Sequence, residues 1–531
     1  MKKLLLMLIA TFVSLKVIAV DFEYTYEGQT LKYTILSEAD KTVTTKEGTA
    51  SSPGNSVSGD LALPAKVQYN GVDYTLTTIG YGSFCYCREL KSISIPNTVT
   101  VFGDGAFAYC TGLTNFEIPN TVTTIGQYAF TNCTGLTSIK IPSSVTSIDE
   151  YAFYDCDPLT KVEISDIASW CAISFGNMIA NPVFYAEHLY LDGNEIMDLV
   201  IPNSVTSIGD NAFVYCVNIR SVEIPGSVTS IGYNSFGYCA SLRSVEMPSS
   251  VTSVSDFAFY ECRGLSSVKM SPSLTAIGAS TFANCMSLAR IEIPNTVVSI
   301  GKQAFYQTGL KAIEIPSSVK YIYDSAFAYC GNLKDVQIPN SVVSMGDYVF
   351  NKCTSLTGID LPNSITEIGY AVFGYCSALK SIVIPASVVA IGEGAFVYCN
   401  NLESVEIPSS VTQVGAQAFM GCVALTSLTC KAMVPPMCGK NVFENVDTQG
   451  CVLSVPEESV EAYKNAPQWQ DFLNIEAGVV DIAINNNYEA GRSTDVYNVQ
   501  GVMLMRNASP DDIATLAPGL YIIGGKKVLV R

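Results

Sequence analysis

The chain has 531 residues, with 30 Lys+Arg against 48 Asp+Glu, a formal charge of −18. Hydrophobic residues make up 48% and charged residues 15%, so the chain has material for a large core and is not composed like a disordered one. The acidic balance excludes nucleic-acid binding through a general basic field, and the single histidine, His188, excludes multi-histidine metal centres and most His-dependent catalysis. No P-loop, HExxH, GxSxG, paired CxxC or strand-linked GxGxxG occurs, so no catalytic residue, metal ligand or cofactor is assigned.

The first element is an expected signal peptide over residues 1–19. Met1-Lys2-Lys3 is a basic start, Leu4 to Val13 is an apolar run short of a full bilayer span, and Val17 and Ala19 set small residues before a cut after Ala19. No later stretch is long and apolar enough to cross a membrane, which leaves the mature chain without a predicted transmembrane segment. Residues 20–80 follow as a small β cap, Thr- and Tyr-rich, with alternation in Phe22-Glu-Tyr24-Thr-Tyr26 and Leu31-Lys-Tyr33-Thr-Ile35.

Residues 81–430 are a repeat. Prolines recur in steps of 23 through Pro96, Pro119, Pro142, Pro202, Pro225, Pro248, Pro294, Pro316, Pro339, Pro362, Pro385 and Pro408, apart from single steps of 22, 46 and 60. Phe84, Phe107, Phe130, Phe153, Phe213, Phe236, Phe259, Phe282, Phe305, Phe327, Phe350, Phe373, Phe396 and Phe419 keep the same period and count about 14 turns. In one unit, Phe116 and Ile118 alternate with Glu117 as a short strand with one buried face. Pro119 ends that strand, Val122 and Ile125 turn inward, and Gly126 marks a bend. Tyr323 replaces the glycine in one unit, which argues against an obligatory positive φ there. No single unit can bury this much apolar surface, so the units must stack. An insertion at about 165–200 interrupts the array, with Trp170, Cys171 and Phe175 as replacement core and His188 on an expected loop.

The pattern Leu-x-x-Ile-x-Ile-Pro-x-Ser-Val-x-x-Ile-Gly-x-x-Ala-Phe-x-x-Cys resembles the BspA-like leucine-rich repeats of bacterial surface proteins. The resemblance implies an α/β repeat, mostly β: a leucine-rich-repeat solenoid of about 14 coils with a β-rich N-cap, a C-cap and a small C-terminal β module. It implies a secreted or surface-displayed, non-enzymatic protein that binds host matrix proteins, cells or glycans. Residues 431–475 form the expected C-terminal cap, with Val452 to Pro456 as a last strand and Glu461-Ala-Tyr-Lys and Trp469 to Phe472 as a short helix closing the core. In residues 476–531, Val496-Tyr497-Asn498-Val499-Gln500-Gly501 and Pro518 to Ile523 resemble the sorting domains of Bacteroidetes secretion; a plain β module is the other reading.

Function in a stacked array sits on columns of exposed positions. The strand column holds Glu117, Glu163, Glu223, Glu246, Glu292, Glu314, Asp360 and Glu406 among its fourteen members, with Lys140 and Lys269 between them. Three residues earlier runs a column with Lys91, Arg220, Arg243, Lys311, Lys334 and Lys380. The acidic column reads as a docking face for a basic protein surface or as a solvated face kept soluble by its charge. A second column, before the cysteines, holds Tyr86, Tyr109, Tyr215, Tyr238, Tyr329, Tyr375 and Tyr398. It reads as an aromatic surface for protein or sugar, or as rings packed on one another. Thirteen of the 18 cysteines share one repeat position and read as buried thiols; Cys438 and Cys451, outside the column, are the candidate disulfide. The leading expectation is an adhesin for a host extracellular-matrix or cell-surface protein. A glycan-binding protein for mucin or polysaccharide and a structural surface-layer component are the alternatives.

Overall fold

The computed structural model describes residues 20–47, 57–478 and parts of 494–530. The expected signal peptide lies outside the described residues. The chain divides into two compact units, Met1–Glu195 and Ile196–Arg531.

One turn shows why the sequence coils. In the second unit, Ser221–Glu223 is a three-residue strand with Val222 facing inward. The Pro225 carbonyl accepts from Val228 N–H and closes a tight turn. Ser230–Ile231 then forms a second strand of only two residues, pairing in parallel with Ser207–Ile208 and Ser253–Val254. The chain next crosses a third side on which Phe236 and Cys239 are fully buried. There the backbone bonds to the following turn: Phe236 N–H donates to Ala258 O at 2.9 Å and Tyr238 N–H to Tyr260 O at 2.7 Å. Every side of the turn thus spends its backbone groups on its neighbours, which a buried irregular chain requires. Repetition gives mostly β architecture with parallel sheets on two sides and a stacked phenylalanine column, Phe236 and Phe259 lying 5.4 Å apart with parallel rings.

Two residues per turn adopt a left-handed backbone, four positions apart on either side of the buried Ala-Phe pair. In four of the turns these are Tyr128 and Asn132, Asn234 and Tyr238, Ser325 and Tyr329, Gly394 and Tyr398. Gly126 is not among them, as Tyr323 in its column indicated. Its absent side chain serves close approach instead: a Cβ there would lie 2.6 Å from Asp104 Oδ1, the atom that accepts Gln127 N–H at 2.9 Å.

In the first unit, Asp21–Tyr26, Gln29–Ser37 and Thr42–Thr45 build an antiparallel cap, in which the Phe22 ring packs on Tyr33, Tyr69 and Tyr74. The cap passes into the repeat before residue 81. Gly59–Ala62 pairs in parallel with Leu90–Ser94, and Val72–Ile79 with Val101–Phe102. The insertion, expected as a loop on one face, supplies a turn of its own. Ser174–Phe175 joins Ser147–Ile148 in one sheet and Leu189–Leu191 joins Lys161–Ile164 in the other. Trp170, Cys171 and Phe175 are buried core there. Two of the three α-helices among the described residues, Ile167–Cys171 and Val183–Ala186, lie in this insertion.

In the second unit the C-terminal cap carries the third helix, Val460–Asn465. Tyr463 and Trp469 are fully buried, Trp469 packing on both Tyr463 and Phe443, which continues the phenylalanine column beyond Phe419. Val452–Val455 is not the last strand, because Asn474–Ala477 pairs with it in parallel. The units together carry about 17 turns of about 23 residues rather than 14. The difference lies at positions a phenylalanine count passes over: the cap strands, the insertion and the turn at Phe443. Strands Thr494–Asn498, Met503–Ala508, Gly519–Ile523 and Lys526–Val530 form an antiparallel sheet that holds parts of both sorting-like motifs.

Candidate binding face

Alternation along the longer strand sends Val222 into the core and Glu223 into solvent; the same holds for Val245 and Glu246 and for Ile313 and Glu314. Stacking in register then aligns the acidic positions of neighbouring turns within each unit. Glu117, Glu223, Glu246, Glu292, Glu314 and Asp360 are exposed, while Glu163 and Glu406 are half-buried.

The column is not a uniform row of negative charge. Lys269 Nζ meets Glu246 Oε1 on the neighbouring strand at 2.5 Å, and Lys431 meets Glu406 at 2.6 Å. In the first unit Lys161 lies 2.9 Å and Lys140 3.9 Å from Glu163, and the hydrogen bond from Lys161 holds that carboxyl below its usual range against the opposing effect of burial. Glu117, Glu223, Glu292, Glu314 and Asp360 have no cation within ion-pair distance among the described residues. Shallow grooves run over this face. Glu292, Glu314, Asn295 and Gln337 line one of about 690 Å³; Glu223, Glu246 and Lys269 line another of about 560 Å³. In the first unit Glu117 and Lys140 line a third of about 670 Å³.

The tyrosine column falls on the second left-handed position, all seven members having φ between 54° and 63°. Where tyrosines are neighbours their rings stack: Tyr86 on Tyr109 at 4.5 Å, Tyr215 on Tyr238 at 4.2 Å, and Tyr375 on Tyr398 at 5.2 Å. Lys352, the residue between them in the column, places Nζ 4.5 Å from the Tyr329 ring and 5.5 Å from that of Tyr375. The column is therefore a ladder packed on itself that still leaves Tyr86 54% and Tyr375 42% exposed. Sequence reasoning missed further tyrosines at the first left-handed position, where Tyr128 stacks on Tyr151 at 5.3 Å and Tyr348 lies 4.9 Å from Tyr370, the residue before the left-handed Ala371 of the next turn. Their signal was the mixture of Asn, Gly and Tyr there, since Asn and Gly tolerate this backbone best.

All 18 cysteines are free thiols. The Cys438–Cys451 disulfide is not formed. Met437–Cys438 belongs to the sheet of two-residue strands, and the strand that follows Cys451 belongs to the other sheet, so the two thiols serve different sides of the turn. His188 Nδ1 lies 2.7 Å from Glu195 Oε1 within the hairpin Leu189–Leu191 and Asn194–Glu195, a contact that fastens the end of the insertion. Among the described residues no three His, Cys, Asp or Glu are grouped to hold a metal ion, and no helix is long and apolar enough to cross a membrane.

Parallel strands recurring every 23 residues behind a Leu-x-x-Ile-x-Ile core define a leucine-rich-repeat solenoid. The BspA type leucine rich repeat region matches residues 68–180, 187–309 and 298–426, in six copies, and the chain belongs to that family. Among solved structures, a leucine-rich repeat protein from Bacteroides ovatus is 29% identical, with a TM-score of 0.51 over 76% of this chain and 93% of that one. A leucine rich cell surface protein from Faecalibacterium prausnitzii is also 29% identical, over 77% of this chain and 94% of that one, with a TM-score of 0.39. A search of curated proteins gave no match. The family points to a binding or surface role without catalysis as its general character.

Proposed function

We propose that this is an exported, surface-displayed adhesin that docks a host or cell-surface protein on the strand face of its repeats. The carrying observation is the Glu292–Glu314 groove: two exposed carboxylates on successive turns, facing one cleft, with no cation supplied by the described residues. Like charges held about 5 Å apart repel by roughly 0.8 kcal/mol in water, and elsewhere in the same column lysines relieve that repulsion. A partner presenting Lys or Arg at this spacing would relieve it here and gain charge-assisted hydrogen bonds. Export rests on the basic, then apolar, amino terminus. Display through the tail rests on the sorting-like motifs around Val496 and Leu520.

The test is binding of the full chain to immobilised matrix proteins, mucins and polysaccharides at low and high salt. Saturable protein binding that weakens with salt and is lost in the Glu292→Gln/Glu314→Gln variant supports the reading. Protein binding that is indifferent to both changes sinks it, and self-association with no other ligand favours the structural surface-layer role.

A further inference from the structure

Three residues before the acidic column, the strand face carries a feature of opposite sign. Arg220 and Arg243 occupy the same repeat position on successive turns of the second unit. Their backbones are joined directly, Arg243 N–H donating to Arg220 O at 3.0 Å, and the strands are in register through Ser221 and Ser244. Both side chains are exposed. Neither guanidinium has a carboxylate within ion-pair distance among the described residues, although the chain carries 48 acidic side chains against 30 basic ones. Arg263, by contrast, is held by Glu261 at 2.7 Å.

The two arginines open onto a groove of about 500 Å³ whose remaining lining is Ala240, Ser241, Gly264, Ser266 and Ser287. No carboxylate lines it. Ser266 donates its hydroxyl to Arg243 O at 3.2 Å, which leaves its oxygen lone pairs as acceptors; Ser241 and Ser287 add further hydroxyls. Gly264 and Ala240 keep the floor low. The lining spans four successive turns, about 14 Å at the spacing of paired strands, which matches a few sugar rings in an extended chain.

We propose that this groove binds a sulfate ester carried on a glycan chain. Two guanidinium forks on neighbouring turns can share the terminal oxygens of one tetrahedral oxyanion, a geometry to which arginine is better suited than lysine. The hydroxyl row, with no large apolar side chain in the lining, suits sugar hydroxyls rather than the side chains of a peptide. The site lies in a different column from the Glu292–Glu314 groove and stands or falls independently of it. It also differs in kind from a general basic field, because the chain as a whole carries a net charge of −18.

The experiment uses the full chain, with a sulfated polysaccharide such as chondroitin sulfate immobilised beside its chemically desulfated form, at low ionic strength where screening is weak. The comparison is between the unaltered chain, Arg220→Gln/Arg243→Gln, Arg220→Lys/Arg243→Lys, and Lys334→Gln/Lys380→Gln as a control for loss of charge alone. Binding to the sulfated polymer only, weakened about tenfold or more by the glutamine pair, weakened in part by the lysine pair and little changed by the control, supports the proposal. Equal binding of the sulfated and desulfated polymers overturns it, as does no binding to either, or an equal loss in the control. A phosphopeptide that binds with the same arginine dependence when the sulfated polymer does not would reassign the groove to a protein ligand. Because all four side chains are exposed, the variants should melt with the unaltered chain; a lowered melting temperature in the glutamine pair alone, with the lysine pair binding normally, also counts against the site.

Discussion

The thiol of Cys133 donates a hydrogen bond to the carbonyl oxygen of Phe107, 26 residues upstream, at 3.1 Å. The bond recurs along the column: Cys262 to Phe236 at 3.1 Å, Cys399 to Phe373 at 3.0 Å. The third side of each turn has no strand ladder, and the thiol supplies a donor to a buried carbonyl of the preceding turn. That role accounts for a buried thiol at this position without a disulfide. Cys262→Ala should cost about 2 kcal/mol, from a small cavity and a buried carbonyl left without this donor. Urea unfolding of the variant checks this; a midpoint equal to that of the unaltered chain would show that the thiol contributes only volume.

The same burial makes stability depend on alkaline pH. Desolvation pushes Cys156, Cys376 and Cys422 up to about 12, hydrogen bonds to the thiol opposing it in part. In the unfolded chain a thiol titrates near 8.5, at roughly its free value. The folded state then holds protons that the unfolded state releases, so this contribution is complete below about pH 8.5 and declines as pH rises toward 12. The urea midpoint should fall between pH 7 and pH 10. It should fall less in a Cys156→Ala/Cys376→Ala/Cys422→Ala variant compared with itself at the two pH values. An equal fall would place the effect on other groups, the buried tyrosines first.

The period, the core columns and the position of the insertion are legible because each turn must place a large ring, a small thiol and a strand-ending proline at the same points for the stack to close. Phe, Cys and Pro report that constraint directly. The second strand is not legible: Ser230–Ile231 is two residues long, too short for alternation to register, and is defined by pairing with neighbours rather than by its own pattern. The charge column is legible as a column but not as a set of pairs. Whether Glu246 meets a lysine depends on Lys269 standing on the adjacent strand, whereas Glu314 has Gln337 there.

Gly232, which precedes the third side of its turn, lies against a neighbour too close for a Cβ on the present backbone. A Cβ on Gly232 would lie 2.6 Å from Asp210 Oδ1 and 2.7 Å from Asp210 N, while Asp210 Oδ1 accepts Tyr233 N–H at 2.7 Å. Gly232→Ala should destabilise by about 3 kcal/mol through backbone displacement, and Asp210→Ala by about 1 kcal/mol through the lost cap. Because backbone N as well as the carboxylate is in the way, Asp210→Ala should not rescue Gly232→Ala. A thermal-melt double-mutant cycle that shows full rescue would mean that the side chain alone sets the clearance.

Left-handed positions give a further contrast. Gln303 has φ 56° and donates its N–H to Asp324 O at 2.9 Å, so its backbone is fixed by the next turn. Gln303→Gly should be near neutral, relief of the left-handed strain offsetting the greater freedom of glycine when unfolded. Gln303→Val should cost about 2 kcal/mol, because a β-branched residue fits this backbone worst. Equal melting temperatures for the two variants would show that the turn relaxes out of the left-handed region.

The C-terminal cap should govern how the second unit opens. Trp469 is fully buried, 5.3 Å from both Phe443 and Tyr463, and donates Nε1–H to Pro436 O at 2.8 Å. Tyr463 in turn donates to Ala432 O at 2.8 Å, so the two rings and two bonds together cover the end of the phenylalanine column. Trp469→Ala should cost about 3–5 kcal/mol, and the loss should be local, because a repeat array contacts only its neighbours and frays from an uncovered end. Hydrogen exchange should accelerate at Val452–Val455 and Asn474–Ala477 while Ser221–Glu223, many turns away, keeps its protection. Uniform acceleration across the unit would instead mean that its turns unfold as one cooperative block, with the cap contributing to global stability rather than guarding an end.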